Sequence, residues 1–117
     1  GGPLVEHSLQ AMFELSDQGI FSKEMIIEKM CHAPAQLFNI EKRGFIREGY
    51  YADLVVVSPG QKQTVEDRTV HYKCQWSPFS GTTFHNQIKH TFVNGHLALE
   101  NGQINQEKHG MKLIFNR

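Results

Sequence analysis

The sequence lacks any excess of charge. Twelve Lys and Arg balance twelve Asp and Glu. The formal net charge is therefore zero, and the pI is about 7.2. A nucleic-acid partner is not expected, because such domains usually carry a basic stripe. Long apolar runs are also missing. The strongest is Leu54-Val55-Val56-Val57, far short of the roughly 20 residues that cross a bilayer. No membrane partner is expected. The amino end, Gly1-Gly2-Pro3, shows no basic segment and no apolar core. No secretory signal is read there, and a cytoplasmic location is expected. Cysteine is scarce: only Cys31 and Cys74 occur. Without a signal, two distant cysteines fit buried free thiols in a reducing compartment better than a disulfide.

Several chemical patterns are absent too. Seven histidines occur: His7, His32, His71, His85, His90, His96 and His109. They form no His-x-His and no His-Glu-x-x-His, and no Cys-x-x-Cys accompanies them. His85 and His90, five residues apart, are a weak pair. Exposed or hydrogen-bonded histidines are the preferred reading. There is no phosphate-binding glycine loop and no Gly-x-Ser-x-Gly elbow. Cys31 has no activating neighbourhood and reads as an inert buried thiol. Asp53 opens an apolar strand, and it reads as a carboxylate accepting backbone N–H groups rather than as a general base. Lys42, Arg43 and Arg47 read as a solvated face. Trp76, near Pro78 and Phe79, reads as domain packing rather than a ligand platform. No catalytic centre and no metal ligand is assigned.

What is present is an ordinary globular composition, 39% hydrophobic with ten glycines in 117 residues. Leu4, Val5, Leu9, Met12, Phe13 and Leu15 recur near the helical period, with Glu6, Gln10, Glu14 and Gln18 elsewhere. Gly19 suits a helix stop. Ser22 can cap a second helix, with Glu24 in its first turn and Met25, Ile26, Ile27 and Met30 on its apolar side. Pro34 interrupts that helix and suits the first turn of a short one through Leu37 and Phe38. After Ile40 the pattern turns to strands. Asp53–Val57 reads as a buried strand bounded by Ser58-Pro59-Gly60, and Thr64–Tyr72 as another. Ser77–Gly81 is a loop. Asn94-Gly95, between Thr91–Val93 and His96–Leu99, predicts a two-residue hairpin. Asn101-Gly102 makes a second turn, and Met111–Phe115 a final strand. Some forty helical residues followed by a small β part make an α+β chain. So short a helical part needs another surface to cover its apolar face.

Gly44-Phe45-Ile46-Arg47-Glu48-Gly49-Tyr50-Tyr51-Ala52-Asp53-Leu54-Val55 resembles the Gly-x-Ile-x-x-Gly-x-x-Ala-Asp-Leu-Val signature of the amidohydrolase superfamily. Ala33–Ile40 is similar to the helix before it, and Thr91–His96 to the closing hairpin of that family. Within the superfamily, Cys74-Gln75-Trp76-Ser77-Pro78-Phe79-Ser80-Gly81 resembles a segment of the dihydroorotases. Gly1–Leu9 resembles the stretch after their last catalytic loop. The resemblance implies an α+β fragment. Residues 1–40 would be the last outer helices of a (β/α)₈ barrel, and residues 41–117 the carboxyl-terminal part of a small β-sandwich. A whole barrel needs about 250 residues, so the barrel's amino-terminal portion would be a partner supplied elsewhere. The implied reaction interconverts N-carbamoyl-L-aspartate and L-dihydroorotate, with zinc as cofactor and that small molecule as substrate. The zinc ligands and catalytic aspartate of the family have no counterparts in this chain, so the chain alone is expected to be inactive. The backbone of Gly1 and Gly2 is implied to hold the substrate ring. A homo-oligomer, or a complex with aspartate transcarbamoylase, is implied by the same resemblance and by the expected open edges. A hydantoinase- or allantoinase-like enzyme and a non-catalytic assembly module are the alternatives.

Overall fold

A computed structural model gives the architecture, and the structure describes residues 1–107 and 110–116. The chain divides into two compact units. One comprises Gly1–Phe21 and Ser58–Gln87, the other Ser22–Val57 and Ile88–Arg117. Strand order in the single four-stranded sheet is β1-β2-β3-β4, with β1 Leu54–Thr64, β2 Thr83–Val93, β3 His96–Glu100 and β4 Gln103–Ile104.

In the first unit a 3₁₀ turn, Val5–His7, leads into α1, Ser8–Asp17. Gly19 ends it as expected, at φ +77°, a conformation that glycine adopts without a Cβ penalty. The buried face of this segment is not the one the apolar pattern indicates. His7, Gln10 and Phe13 are buried, whereas Leu4 and Val5 are exposed. Gln10 can be buried because its amide is satisfied. Its Nε2 donates to the Asn86 carbonyl and to Gln63 Oε1, both at 3.0 Å. Phe84 and Val65 complete the apolar core of this unit. The rings of Phe79 and Phe84 meet edge to face at 5.3 Å.

The expected strand Thr64–Tyr72 does not form. β1 ends at Thr64, and Asp67–Thr69 is a 3₁₀ turn. The Glu66 carbonyl accepts from both the N–H and the hydroxyl of Thr69. Asp67 Oδ1 accepts from the Ser77 N–H at 3.0 Å. Those side-chain and turn bonds compete with a ladder. The Ser77–Gly81 loop is as expected. Its Gly81 N–H donates to the Val65 carbonyl at 2.8 Å.

In the second unit Ser22 caps α2, Lys23–Ile27, as expected. Its Oγ accepts from the Met25 N–H at 3.1 Å. Pro34 prevents a simple α-helical continuation, as expected. A π-helical turn, Glu28–His32, runs directly into α3, Ala33–Leu37, where Pro34 sits in the first turn. The wider turn leaves room for the ring and removes the demand for the missing N–H. Of the apolar side of α2, only Ile26 is buried.

The Asn94-Gly95 hairpin is as expected, with Val93 paired to His96 and φ of +51° and +79° at the turn. The register shifts between Thr91 and Phe92, marking a bulge in the β2–β3 pairing. Asn101-Gly102 makes the second turn, and Leu99 pairs with Ile104. Three expectations fail. Ser58-Pro59-Gly60 does not bound β1 but lies within it. An edge strand tolerates the missing proline donor, and β1 is an edge of the sheet. Leu54, Val55 and Val56 are exposed rather than buried. Met111–Phe115 forms no regular strand. It makes one bridge, Ile40 to Phe115, and the Ile114 carbonyl accepts from the Glu41 N–H.

Candidate functional site

Gly1 and Gly2 lie in the first unit. A Cβ at Gly1 would meet nothing, and one at Gly2 would meet Pro78 Cγ at 3.6 Å, an ordinary contact. The backbone here is therefore approachable. The residues that follow are tethered to the Tyr72–Phe79 stretch. The Glu6 N–H donates to the Tyr72 hydroxyl at 2.6 Å, and Glu6 Oε2 accepts from the His71 N–H at 2.9 Å. Glu6 Oε1 lies 3.9 Å from the Nε2 atoms of both His7 and His71.

His7 is buried, with its ring 6.3 Å from those of Phe79 and Phe84. Its Nδ1 has no hydrogen-bond partner among the described residues. Burial pushes its pKa below the ordinary value. Glu6 raises it in part, and His71 lowers it further. This corrects the reading of His7 as exposed or hydrogen-bonded.

In the second unit the resembling motifs are joined through one carboxylate. Asp53 Oδ1 accepts from the Asn94 N–H at 2.8 Å, and its Oδ2 accepts from Arg43 Nη1. The same Nη1 donates to Asn94 Oδ1 at 2.9 Å. The Ala52 carbonyl accepts from the Gly95 N–H at 3.0 Å. Asp53 thus holds a turn, as expected. Arg43 does not belong to a solvated face: its side chain is only 10% exposed. Its guanidinium also lies 4.4 Å over the Tyr51 ring. Gly44 is required here. At φ +81°, a Cβ would collide with Ala35 Cβ and come within 2.7 Å of the Cys31 carbonyl oxygen.

The remaining histidines serve local contacts. His32 stacks on Phe45 at 4.2 Å and lies 3.3 Å from Glu28. His85 is held by Glu14, which accepts from its N–H at 3.0 Å and meets its Nδ1 at 2.8 Å. His90 lies beside Phe92, and His96 approaches the Asn105 carbonyl at 3.5 Å. His109 lies outside the described residues. Cys31 and Cys74 are free, but both are exposed rather than buried. Partial desolvation nonetheless raises the Cys31 pKa, which keeps it a thiol. Trp76 is exposed as well, so the packing role read for it is not seen among the described residues.

The comparisons with known proteins fit the Asp53 junction. The model of the amidohydrolase family matches residues 4–98. The chain belongs to the amidohydrolase family. A dihydroorotase of Clostridium acetobutylicum is 33% identical over 90 residues, which cover 77% of this chain and 21% of that protein. A dihydroorotase of Pyrococcus furiosus is 25% identical over 114 residues, covering 97% and 27%. Among solved structures, the L-hydantoinase of Arthrobacter aurescens superposes with a TM-score of 0.84 at 28% identity, covering 90% of this chain and 24% of that one. The chain spans about a quarter of the length of these amidohydrolase relatives.

Sequence reasoning missed the burial of Arg43 and the tether made by Glu6 and Tyr72. The partners of Arg43 lie 10 and 51 positions away. The only local signal was its place just before Gly44.

Proposed function

We propose that the protein containing these residues is a zinc-dependent dihydroorotase of the cytoplasm, and that the chain forms its carboxyl-terminal part. It would interconvert N-carbamoyl-L-aspartate and L-dihydroorotate in pyrimidine synthesis. The observation that carries this reading is the 33% identity to the Clostridium acetobutylicum dihydroorotase over 90 residues. In this reading residues 1–40 are outer helices of the barrel and residues 41–117 belong to the small sandwich. The backbone of Gly1 and Gly2 would hold the substrate ring, a role suited to positions where no side chain intervenes.

Zinc in such an enzyme would polarise the amide and acidify a water. Among the described residues, no three His, Cys, Asp or Glu side chains lie together so as to hold a metal. The described residues therefore do not fit the zinc, and its ligands would come from elsewhere in the protein. What the chain supplies is position. Glu6 and Tyr72 fix the start of α1, and the Arg43–Asp53–Asn94 cluster locks the signature to the hairpin. The exposed apolar residues of α2 and β1 are suited to packing against the rest of the barrel or against a second copy.

A second reading, a hydantoinase-like enzyme, is favoured by the fold likeness to the Arthrobacter aurescens L-hydantoinase. Ring-opening rates of dihydroorotate, hydantoin and allantoin, measured on the whole protein from its source, decide between them. Preference for dihydroorotate is expected. Preference for hydantoin would replace the first reading with the second. The 117-residue chain assayed alone with zinc is expected to show no turnover, and turnover would refute its proposed role.

A further inference from the structure

The second unit contains a cavity of about 520 Å³ that plays no part in the proposed reaction. Lys42, Arg43, Arg47, Asn39, Gln36 and Asn116 are among the residues lining it. Among the described residues, Glu41 is the one acidic residue lining it. Among the described residues, Lys42 and Arg47 have no carboxylate partner. Arg43 is nine-tenths buried and uses only Nη1, toward Asp53 and Asn94. Its Nε and Nη2 find no acceptor among the described residues. A guanidinium left with unmatched buried donors is costly, and a carboxylate or phosphate, each offering a pair of adjacent oxygens, is the group that matches that planar fork.

We propose that this cavity is a binding site for a small oxyanion, a phosphate or carboxylate group. Lys42 and Arg47 at its rim would supply point charge and a second guanidinium. Arg43 would supply the buried donors after a small opening of its surroundings, because Nε and Nη2 are covered in the present arrangement. The amides of Asn39, Gln36 and Asn116 suit the remaining acceptor oxygens. The site includes neither Gly1 nor Gly2, so its test is independent of the proposed enzymatic reading.

The test is a titration of the 117-residue chain, followed through the arginine Nε–H and backbone amide resonances. Inorganic phosphate and malonate are the probes, with sodium chloride at matched ionic strength as the control. Saturable shifts at Arg43 and Arg47 with phosphate, malonate or both are expected. Which probe saturates tells whether the site takes phosphate, carboxylate or either. The rim variant Lys42→Gln/Arg47→Gln leaves the Arg43–Asp53 pair intact and should weaken binding about 10-fold or more, as loss of charged hydrogen bonds implies. The variant Arg43→Lys keeps the charge but loses the fork, and should weaken it comparably. Shifts no larger than those with chloride, or saturation unchanged in the rim variant, would overturn the proposal.

Discussion

The two units bury different things. In the first, the buried residues include His7, Gln10, Ser77 and Asn86 beside Phe13, Val65 and Phe84. In the second, Ile26 and Ala35 are the buried residues among those described, while Met25, Met30, Leu37, Phe38, Ile46 and Val56 stand exposed. Ile46 is 88% exposed. The first unit has paired Gln10, Ser77 and Asn86, leaving His7 Nδ1 without a partner among the described residues, and has closed around an aromatic core. Leu4, Val5, Ile20 and Trp76 are exposed in the first unit too, but the second exposes more large apolar residues and buries fewer. Buried polar groups are tolerated when paired, and wide apolar patches on a surface mark a place for other structure. The difference therefore separates a part with an aromatic core of its own from one that buries little of its apolar surface among the described residues.

Substitutions can break this comparison. The largest expected effect is Phe84→Ala in the first unit, where loss of a ring at 2% exposure should cost about 3–5 kcal/mol. Denaturant unfolding checks it. Next is Gly44→Ala in the second unit. The new methyl meets Ala35 and the Cys31 carbonyl well inside contact distance at a positive φ, and about 3 kcal/mol is expected from overpacking and backbone strain. Asp53→Ala should follow at about 2 kcal/mol, because it leaves Arg43 buried with one partner fewer. Fluorescence or circular dichroism through the same denaturant series ranks the three. If Ile46→Ser cost as much as these, the contrast between covered and uncovered apolar residues would collapse. It should lie within about 0.5 kcal/mol of the parent.

The smallest effect sharpens the comparison through pH. The folded state holds His7 below its ordinary pKa. The unfolded chain then binds the proton more readily, so stability falls as pH drops below about 6.5 and levels off beneath the folded value. His7→Phe should remove that part of the acid slope. Ring resonances of His7 should titrate below those of a free histidine, and a midpoint above them would contradict the burial.

The parts of the fold that were legible in the sequence are those fixed by neighbours. Asn94-Gly95 declared its hairpin because both positions take positive φ, and Ser22 declared its cap because the acceptor is three residues from its donor. Asp53 was legible as a carboxylate for backbone N–H groups at the start of an apolar strand, whereas the place of Gly44 came through a family signature. What escaped depended on distance. Gln10 looked like a solvent residue until Asn86 and Gln63 came beside it. The polar turn at Asp67 displaced a strand because Ser77, ten positions on, donates to it. The passage of β1 through Pro59 depended on its place at a sheet edge. At the candidate site, Gly1 and Gly2 came from resemblance alone, whereas the tether of Glu6 to His71 and Tyr72 spans 65 and 66 positions.

The central claim, that the first unit closes its own core and the second does not, is tested most directly by amide hydrogen exchange on the chain in solution. The Val65 and Gly81 amides of the first unit and the Glu41 and Asn116 amides of the second are all hydrogen-bonded to backbone carbonyls at 2.8–2.9 Å. They therefore report opening rather than the presence of a bond. Slower exchange at Val65 and Gly81 than at Glu41 and Asn116 is the predicted result. Equal protection, or slower exchange in the second unit, would contradict it.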